Sequence, residues 1–248
     1  MNNKIRNYKF TSSKISALVS NGKAKDSVGA PFNTLVKKVN QCRKAQRSIY
    51  SDSSSKATSW GILVEHWLMF QHPELIGLEY TLTPSTSTVH PLFPNSWAGS
   101  RDGLNNDTNA VIDIKCPYTM ESFCDFADCS NIEDVRNKTK SGEDYYWQLV
   151  SNACIHGTDK AELIIFCPTV EQLNEIQVYS MDDEHREYAY YIGTANVDTL
   201  PYLPSNAIYS NVVKFAFTIP QSDIDFLTGR VKMASELLVE LPTVEAAK

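Results

Sequence analysis

Apolar residues recur along this chain at two spacings, helical and strand-like, and the changes between them mark its elements. Thr11-Ser12-Ser13 precedes Ile15, Leu18 and Val19, a capping sequence followed by apolar positions at helical spacing. Residues 21–30 read as loop. A second helix is predicted from Pro31 to about Arg47, with Phe32, Leu35, Val36 and Val39 inward and lysines outward. Ser51 to Ser55 is a short low-complexity linker, too short to separate domains. From Thr58 a strong helix follows through Trp60, Leu63, Val64, Trp67, Leu68 and Phe70, and Pro73 comes soon after it.

Residues 78–100 read as strand, Pro/Ser/Thr loop and strand. Asp102-Gly103 and Asn105-Asn106-Asp107 are turn signals, and the β-prone run Val111-Ile112-Asp113-Ile114 after them predicts a hairpin. Residues 130–144 are polar and read as loop. Asp144 then caps a helix from Tyr145 to about His156, and Leu163-Ile164-Ile165-Phe166 reads as a buried strand. The last helix spans about 221–240, with Ile224, Leu227, Val231 and Leu238 on its period. Between these, Asp182-Asp183-Glu184 and the tyrosines around 188–191 are assigned to strands and turns of an outer body. No internal repeat is visible. The order helix, strands, helix, strand, helix indicates a mixed α/β fold in a single domain over 1–248. Its parts are a helical segment about 1–56, a core about 57–170, and C-terminal strands and helix about 171–248.

Composition adds boundaries to this reading. No run of about 18 apolar residues exists, which excludes a transmembrane helix, and the basic, polar stretch Met1 to Phe10 has no apolar segment of a secretory signal after it. Six cysteines in such a chain are expected to be reduced thiols of a cytoplasmic protein. Net charge is −6, yet the charge is divided unevenly. Residues 1–56 hold 12 Lys/Arg against two acids, or +10, and the remaining 192 residues hold 11 basic and 27 acidic groups, or −16. A basic lobe on an acidic body suits a polyanion-binding enzyme with carboxylate metal ligands, and equally a solvated basic helix.

The candidate chemistry lies in Gly99-Ser100-Arg101-Asp102-Gly103 and Asp113-Ile114-Lys115. In a strand, positions i and i+2 project from one face, so Asp113 and Lys115 share a space to which the hairpin returns Asp102. Hard carboxylate oxygens suit Mg²⁺, and a nearby ammonium helps to orient or deprotonate water and offsets phosphodiester charge. Glu65, on the helix before the hairpin, offers a third carboxylate. Asp113 and Lys115 interrupt an otherwise apolar run, where unpaired charge would be costly, and this argues against ordinary surface charges.

The ordered set of motifs resembles the PD-(D/E)XK nuclease superfamily and, within it, the bacteriophage lambda exonuclease (YqaJ-type viral recombinase) family. The resemblance rests on Thr11-Ser12-Ser13; Trp60-Gly61 with Glu65; Ser100-Arg101-Asp102-Gly103; Asp113-Ile114-Lys115-Cys116-Pro117-Tyr118-Thr119; Tyr145 with Gln148; and Cys167-Pro168, over about residues 6–170. It implies a restriction-endonuclease-like central mixed β-sheet flanked by helices. It implies that Asp102, Asp113 and the Ile114 carbonyl hold Mg²⁺, two ions in all with Mn²⁺ as a substitute, and that Glu65 supports the second site. Lys115 would position or activate the attacking water beside Gln148. The implied activity is a 5′-to-3′ double-stranded DNA exonuclease that leaves 3′ single strands for an annealing protein. Family members act as toroidal homotrimers, here in the cytoplasm of a host cell carrying a phage or prophage.

The resemblance also implies a 5′-phosphate pocket at Arg6, Ser13 and Ser100. Arg101 stands where the family usually has proline and could contact phosphate, and Tyr145 is a candidate for base stacking. Glu121 replaces a further pocket arginine, which weakens the expected phosphate preference unless another cation substitutes. Asp113 replaces the commoner glutamate. An endonuclease of the same superfamily and a non-catalytic DNA-end-binding module are the competing readings. Cys116, Cys124 and Cys129 are spaced C-x7-C-x4-C, without any CxxC pair, which speaks against a zinc or iron–sulfur site. His66, beside Glu65, reads as a neighbour rather than a ligand.

Overall fold

The computed structural model describes residues 8–24, 27–49, 55–83 and 86–241. Its centre is a five-stranded mixed sheet in which β6 (Ala110–Lys115) and β7 (Lys160–Phe166) run parallel at the middle. On one side β5 (Gly103–Asn105) and β2 (Tyr80–Leu82) continue antiparallel, and on the other β8 (Val212–Thr218) pairs antiparallel with β7. A smaller three-stranded sheet joins β1 (Phe10–Thr11), β4 (Trp97–Gly99) and β3 (Thr88–Val89), with β1 parallel to β4. The segment predicted as strand, loop, strand over 78–100 thus contributes to both sheets.

The central strands are buried on both faces, which explains why β6 and β7 are apolar without clear alternation. Val111, Leu163 and Ile165 face a core built with α5 (Gly142–His156), α1 (Ala30–Ala45), α8 (Gln221–Glu236) and the 3₁₀ helix Ser12–Val19. Ile112, Ile114, Ile164 and Phe166 face a second core with α2 (Lys56–Phe70), α6 (Val170–Tyr179) and α7 (Asp183–Gly193). Two aromatic anchors, Trp60 and Trp67, are fully or nearly fully buried there. Ser55 caps α2 by accepting the Thr58 N–H at 3.1 Å; residues 51–54 of the expected linker lie outside the described residues.

Several expectations need correction. The stretch 130–144 is not all loop: α4 (Ile132–Lys138) is capped by Asn131, carries Glu133 and Asp134 in its first turn, and buries only Ile132 and Val135. Two apolar positions are too few to reveal a helical period. The helix expected from Tyr145 starts at Gly142, so Asp144 lies in its first turn instead of capping it. Residues 183–193 form α7 rather than strands and turns, because His185, Ala189 and Ile192 make one buried face whose first two members are weakly apolar. The first helix is 3₁₀, the last ends at Glu236, and α3 (Met120–Ala127) is an addition to the predicted elements.

The basic segment also divides. Arg43 is buried, and its guanidinium donates to the carbonyls of Tyr8 at 2.9 Å, Val239 at 2.7 Å and Asn95 at 2.5 Å, fastening both ends of the described chain to the β3–β4 connection. That cation is structural. Lys37, Lys38 and Lys44 project from the exposed side of α1.

Gly99 brings β4 against two other elements. A Cβ there would lie 2.1 Å from Ser12 Oγ and 2.5 Å from Asn152 Oδ1, far inside contact distance. Gly99→Ala is therefore expected to lower the melting temperature by roughly 3–10 °C, the scale of core overpacking in a chain of this length, which thermal unfolding checks. An unchanged midpoint would mean that this contact has slack.

Candidate active site

The turn of chain between β4 and β5 carries Ser100, Arg101 and Asp102 to the edge of β6. The Asp102 N–H donates to the Ile112 carbonyl at 3.1 Å, and the Ile114 N–H donates back to Asp102 Oδ2 at 2.7 Å. The side chain thus closes the hairpin where the regular β5–β6 pairing ends. Asp113 and Lys115, two positions apart, do project together: Lys115 Nζ lies 2.6 Å from Asp113 Oδ2. Asp113 is almost wholly buried, and its other oxygen accepts a 2.6 Å hydrogen bond from Gln148 Nε2 on α5. Glu65 reaches the same space from α2, whose Trp60 Nε1–H donates to the Pro117 carbonyl at 3.1 Å just past the end of β6.

Three carboxylates and one ammonium therefore share a half-buried pocket, and the electrostatics follow. Glu65 is pushed up to about 7, first by burial and also by Asp113, with Lys115 opposing. Asp102 is raised well above the usual carboxylate range by burial, then by Glu65 and Asp113. Burial works against the Lys115 charge, yet Asp113, Asp102 and Glu65 together hold it above the ordinary lysine value. The pocket has more negative charge than it neutralises, which is the condition a divalent cation relieves. The carboxylates gathered there, Asp102, Asp113 and Glu65, are a hard-oxygen donor set that fits Mg²⁺ or Mn²⁺.

The structure also places the remaining sequence candidates. Arg6 lies outside the described residues. Ser13 lies in the first turn of the 3₁₀ helix Ser12–Val19 and is exposed, whereas Ser100, just past β4, is half-buried. Arg101 is half-buried, and burial, followed by this cation, pushes His156 down to about 4. The Tyr145 ring lies 5.2 Å below Lys115 Nζ and stacks on Phe126 at 5.8 Å, so it forms a wall under the ammonium. Glu121 is exposed in the first turn of α3, where an acid suits the helix dipole.

Two contributors escaped sequence reading. Asn152 donates from Nδ2 to the Ser100 carbonyl at 3.0 Å, and Ser151 Oγ lies 2.8 Å from both Ser12 Oγ and Trp97 Nε1. Both belong to α5, with Asn152 four residues after Gln148 on the same side of the helix. The available signal was a polar pair at i, i+4 on a helix otherwise buried.

A mixed sheet with this carboxylate–lysine pocket at the mouth of its central hairpin defines the restriction-endonuclease-like class of fold. Within that class the likeness is to phage-type exonucleases. A phage-related exonuclease from Haemophilus somnus 129PT superposes with a TM-score of 0.61 at 14% identity, covering 92% of each chain. An alkaline exonuclease (LHK-Exo) from Laribacter hongkongensis gives 0.57 at 17% identity, over 96% of this chain and 92% of that one. A structure of LHK-Exo in complex with dAMP gives 0.56 at 17% identity, over 94% and 90%. No protein-family profile and no curated sequence matches the chain.

Proposed function

We propose that this protein is a Mg²⁺-dependent exonuclease that degrades the 5′-ended strand of duplex DNA and leaves a 3′ single strand. The observation that carries the reading is the pairing of Asp113 with both Lys115 and Gln148, beside Asp102 and Glu65, at one end of the central sheet. The fold shared with phage-related and alkaline exonucleases supports the same class of reaction.

Each side chain has a definable task. Asp102, Asp113 and Glu65, with the Ile114 carbonyl, would hold the cations; Asp102 stays oriented by the Ile114 N–H. Bound Mg²⁺ supplies Lewis-acid polarisation of the phosphodiester and lowers the pKa of water. Lys115, kept protonated by the carboxylates around it, donates hydrogen bonds to the attacking water and offsets charge on the phosphate. Gln148 fixes the rotamer of Asp113 by donating to its Oδ1. Ser13, Ser100, Arg101 and Arg6 receive the 5′-phosphate, and Tyr145 supports Lys115 from below. On the resemblance given above, the working form is a homotrimer encircling DNA in a single domain per chain. Its 3′-tailed product passes to an annealing protein in the cytoplasm of a phage-bearing bacterium.

The test is a nuclease assay on linear duplex DNA, 5′-phosphorylated or 5′-hydroxyl, labelled at either end, with Mg²⁺ or EDTA. Metal-dependent release from the 5′ end with circular DNA spared is expected. Cleavage of circles would move the assignment to an endonuclease, and end binding without cleavage would move it to a non-catalytic module. A large difference between the two 5′ ends would argue that Glu121, exposed on α3, leaves the phosphate pocket intact.

A further inference from the structure

One position along α2 from Glu65, His66 points into the seam between α2, α6 and α7 and meets His185 and Glu184 from α7. One candidate ligand atom from each of the three lies within 4.8 Å of the others. The imidazoles are set at 66° with ring centroids 5.0 Å apart, and His185 Nε2 is 3.5 Å from Glu184 Oε1. His185 is buried, whereas Glu184 is largely exposed. Each ring is also held from behind by a tyrosine. His66 Nδ1 lies 2.7 Å from the Tyr179 hydroxyl, and His185 Nδ1 lies 3.1 Å from the Tyr188 hydroxyl. A proton placed on each Nδ1 and accepted by its tyrosine leaves both Nε2 lone pairs unprotonated and available to a metal. This is how outer groups set the tautomer and direction of metal-binding histidines.

We propose that His66, His185 and Glu184 form a binding site for a Zn²⁺-class divalent cation, with a water molecule as fourth ligand. Two imidazoles and one carboxylate select borderline metals over Mg²⁺, which the oxygen-only pocket around Asp102 and Asp113 suits better. Tetrahedral ligands at Zn–N distances of about 2.1 Å are about 3.4 Å apart, and His185 Nε2 and Glu184 Oε1 already stand at 3.5 Å. The cation ties α7 to α2, the helix that presents Glu65.

The experiment uses the full chain, stripped with EDTA and titrated with Zn²⁺ by calorimetry and with Co²⁺ by visible absorption. The Asp102→Asn/Asp113→Asn double variant serves as a background in which the oxygen-rich pocket is weakened. One equivalent of Zn²⁺ is expected in the double-variant background, and the intense d–d bands of tetrahedral Co²⁺ in both. Glu184→Gln, an exposed change, and Tyr179→Phe, which removes only the hydroxyl behind His66, should each weaken Zn²⁺ binding at least about tenfold. Co²⁺ spectra of octahedral type alone, or Zn²⁺ affinity untouched by both substitutions, would overturn the proposal. No nuclease activity enters the readout, so the outcome is independent of the proposed function.

Discussion

Lys115→Ala should lower the rate of DNA hydrolysis by at least about 10³-fold while duplex-end binding, measured in EDTA, falls by less than about tenfold. The size follows from position. Lys115 Nζ is held 2.6 Å from Asp113 above the Tyr145 ring, and it is the cation that three carboxylates keep charged inside the pocket. A 10³-fold loss corresponds to about 4 kcal/mol of transition-state stabilisation, within reach of one positioned charge in a partly dehydrated site. Arginine is not a neutral replacement, because its planar fork cannot fill the place of a compact ammonium beside Asp113. Since removing Lys115 also leaves Asp113 without its partner, Asp113→Asn is the companion variant: it keeps the Gln148 contact and the side-chain volume. Both variants should fall together in turnover. Parallel loss of binding and cleavage in both would mean that the pair holds the fold rather than the reaction.

How much of this site was legible from sequence depends on the kind of contact. Asp113 and Lys115 were readable because a strand projects i and i+2 together, and their charge broke an apolar run that is otherwise buried on both faces. Asp102 was readable through turn residues that predicted a hairpin, although the hydrogen bond from the Ile114 N–H that fixes its direction depends on register. Glu65 was readable as a third carboxylate on the helix before the hairpin, whereas Gln148 came from the family resemblance. The strongly periodic α2 and β7 were clear, whereas α4 and α7 were not, because their buried faces use two apolar residues or substitute His185 and Ala189 for larger ones. The histidine cluster was invisible for another reason. His66 and His185 are 119 positions apart and meet only after α2 and α7 pack, so no local spacing could reveal them. Arg43 shows the converse limit: counted among the basic residues of an anion-binding lobe, it is spent on three backbone carbonyls.

The same excess of carboxylate over cation predicts a large effect on stability in the absence of metal. Folding raises Glu65 from its ordinary value of 4.5 to about 7 and raises Asp102 in the same direction, so the folded chain holds protons that the unfolded chain has released. A group shifted upward supports the fold fully below its unfolded pKa, and that support is lost as pH rises through the folded value. In the metal-free protein the Glu65 contribution should therefore be lost progressively between about pH 4.5 and 7; His156, which folding holds down at about 4, acts in the opposite sense over much of that range, so the cluster's own effect is read as the difference between the parent and a variant that removes one of its charges. Asp102→Asn removes one charge from the cluster and retains an oxygen to accept the Ile114 N–H, so it relieves repulsion without opening the hairpin. At about pH 8 in EDTA the variant is expected to melt about 3–8 °C above the parent, with a flatter pH profile, although its nuclease activity is lost. Saturating Mg²⁺ should raise the midpoint of the parent and have at most half that effect on the variant, because a ligand stabilises only the state that binds it. Differential scanning calorimetry across this pH range, with and without Mg²⁺, distinguishes the two possibilities. If Asp102→Asn instead lowers the metal-free midpoint at every pH, the carboxylate serves the hairpin and the cluster is not a cation site. If the midpoint rises while the Mg²⁺ response disappears, the protein is holding unfavourable charge together for the sake of the metal it binds.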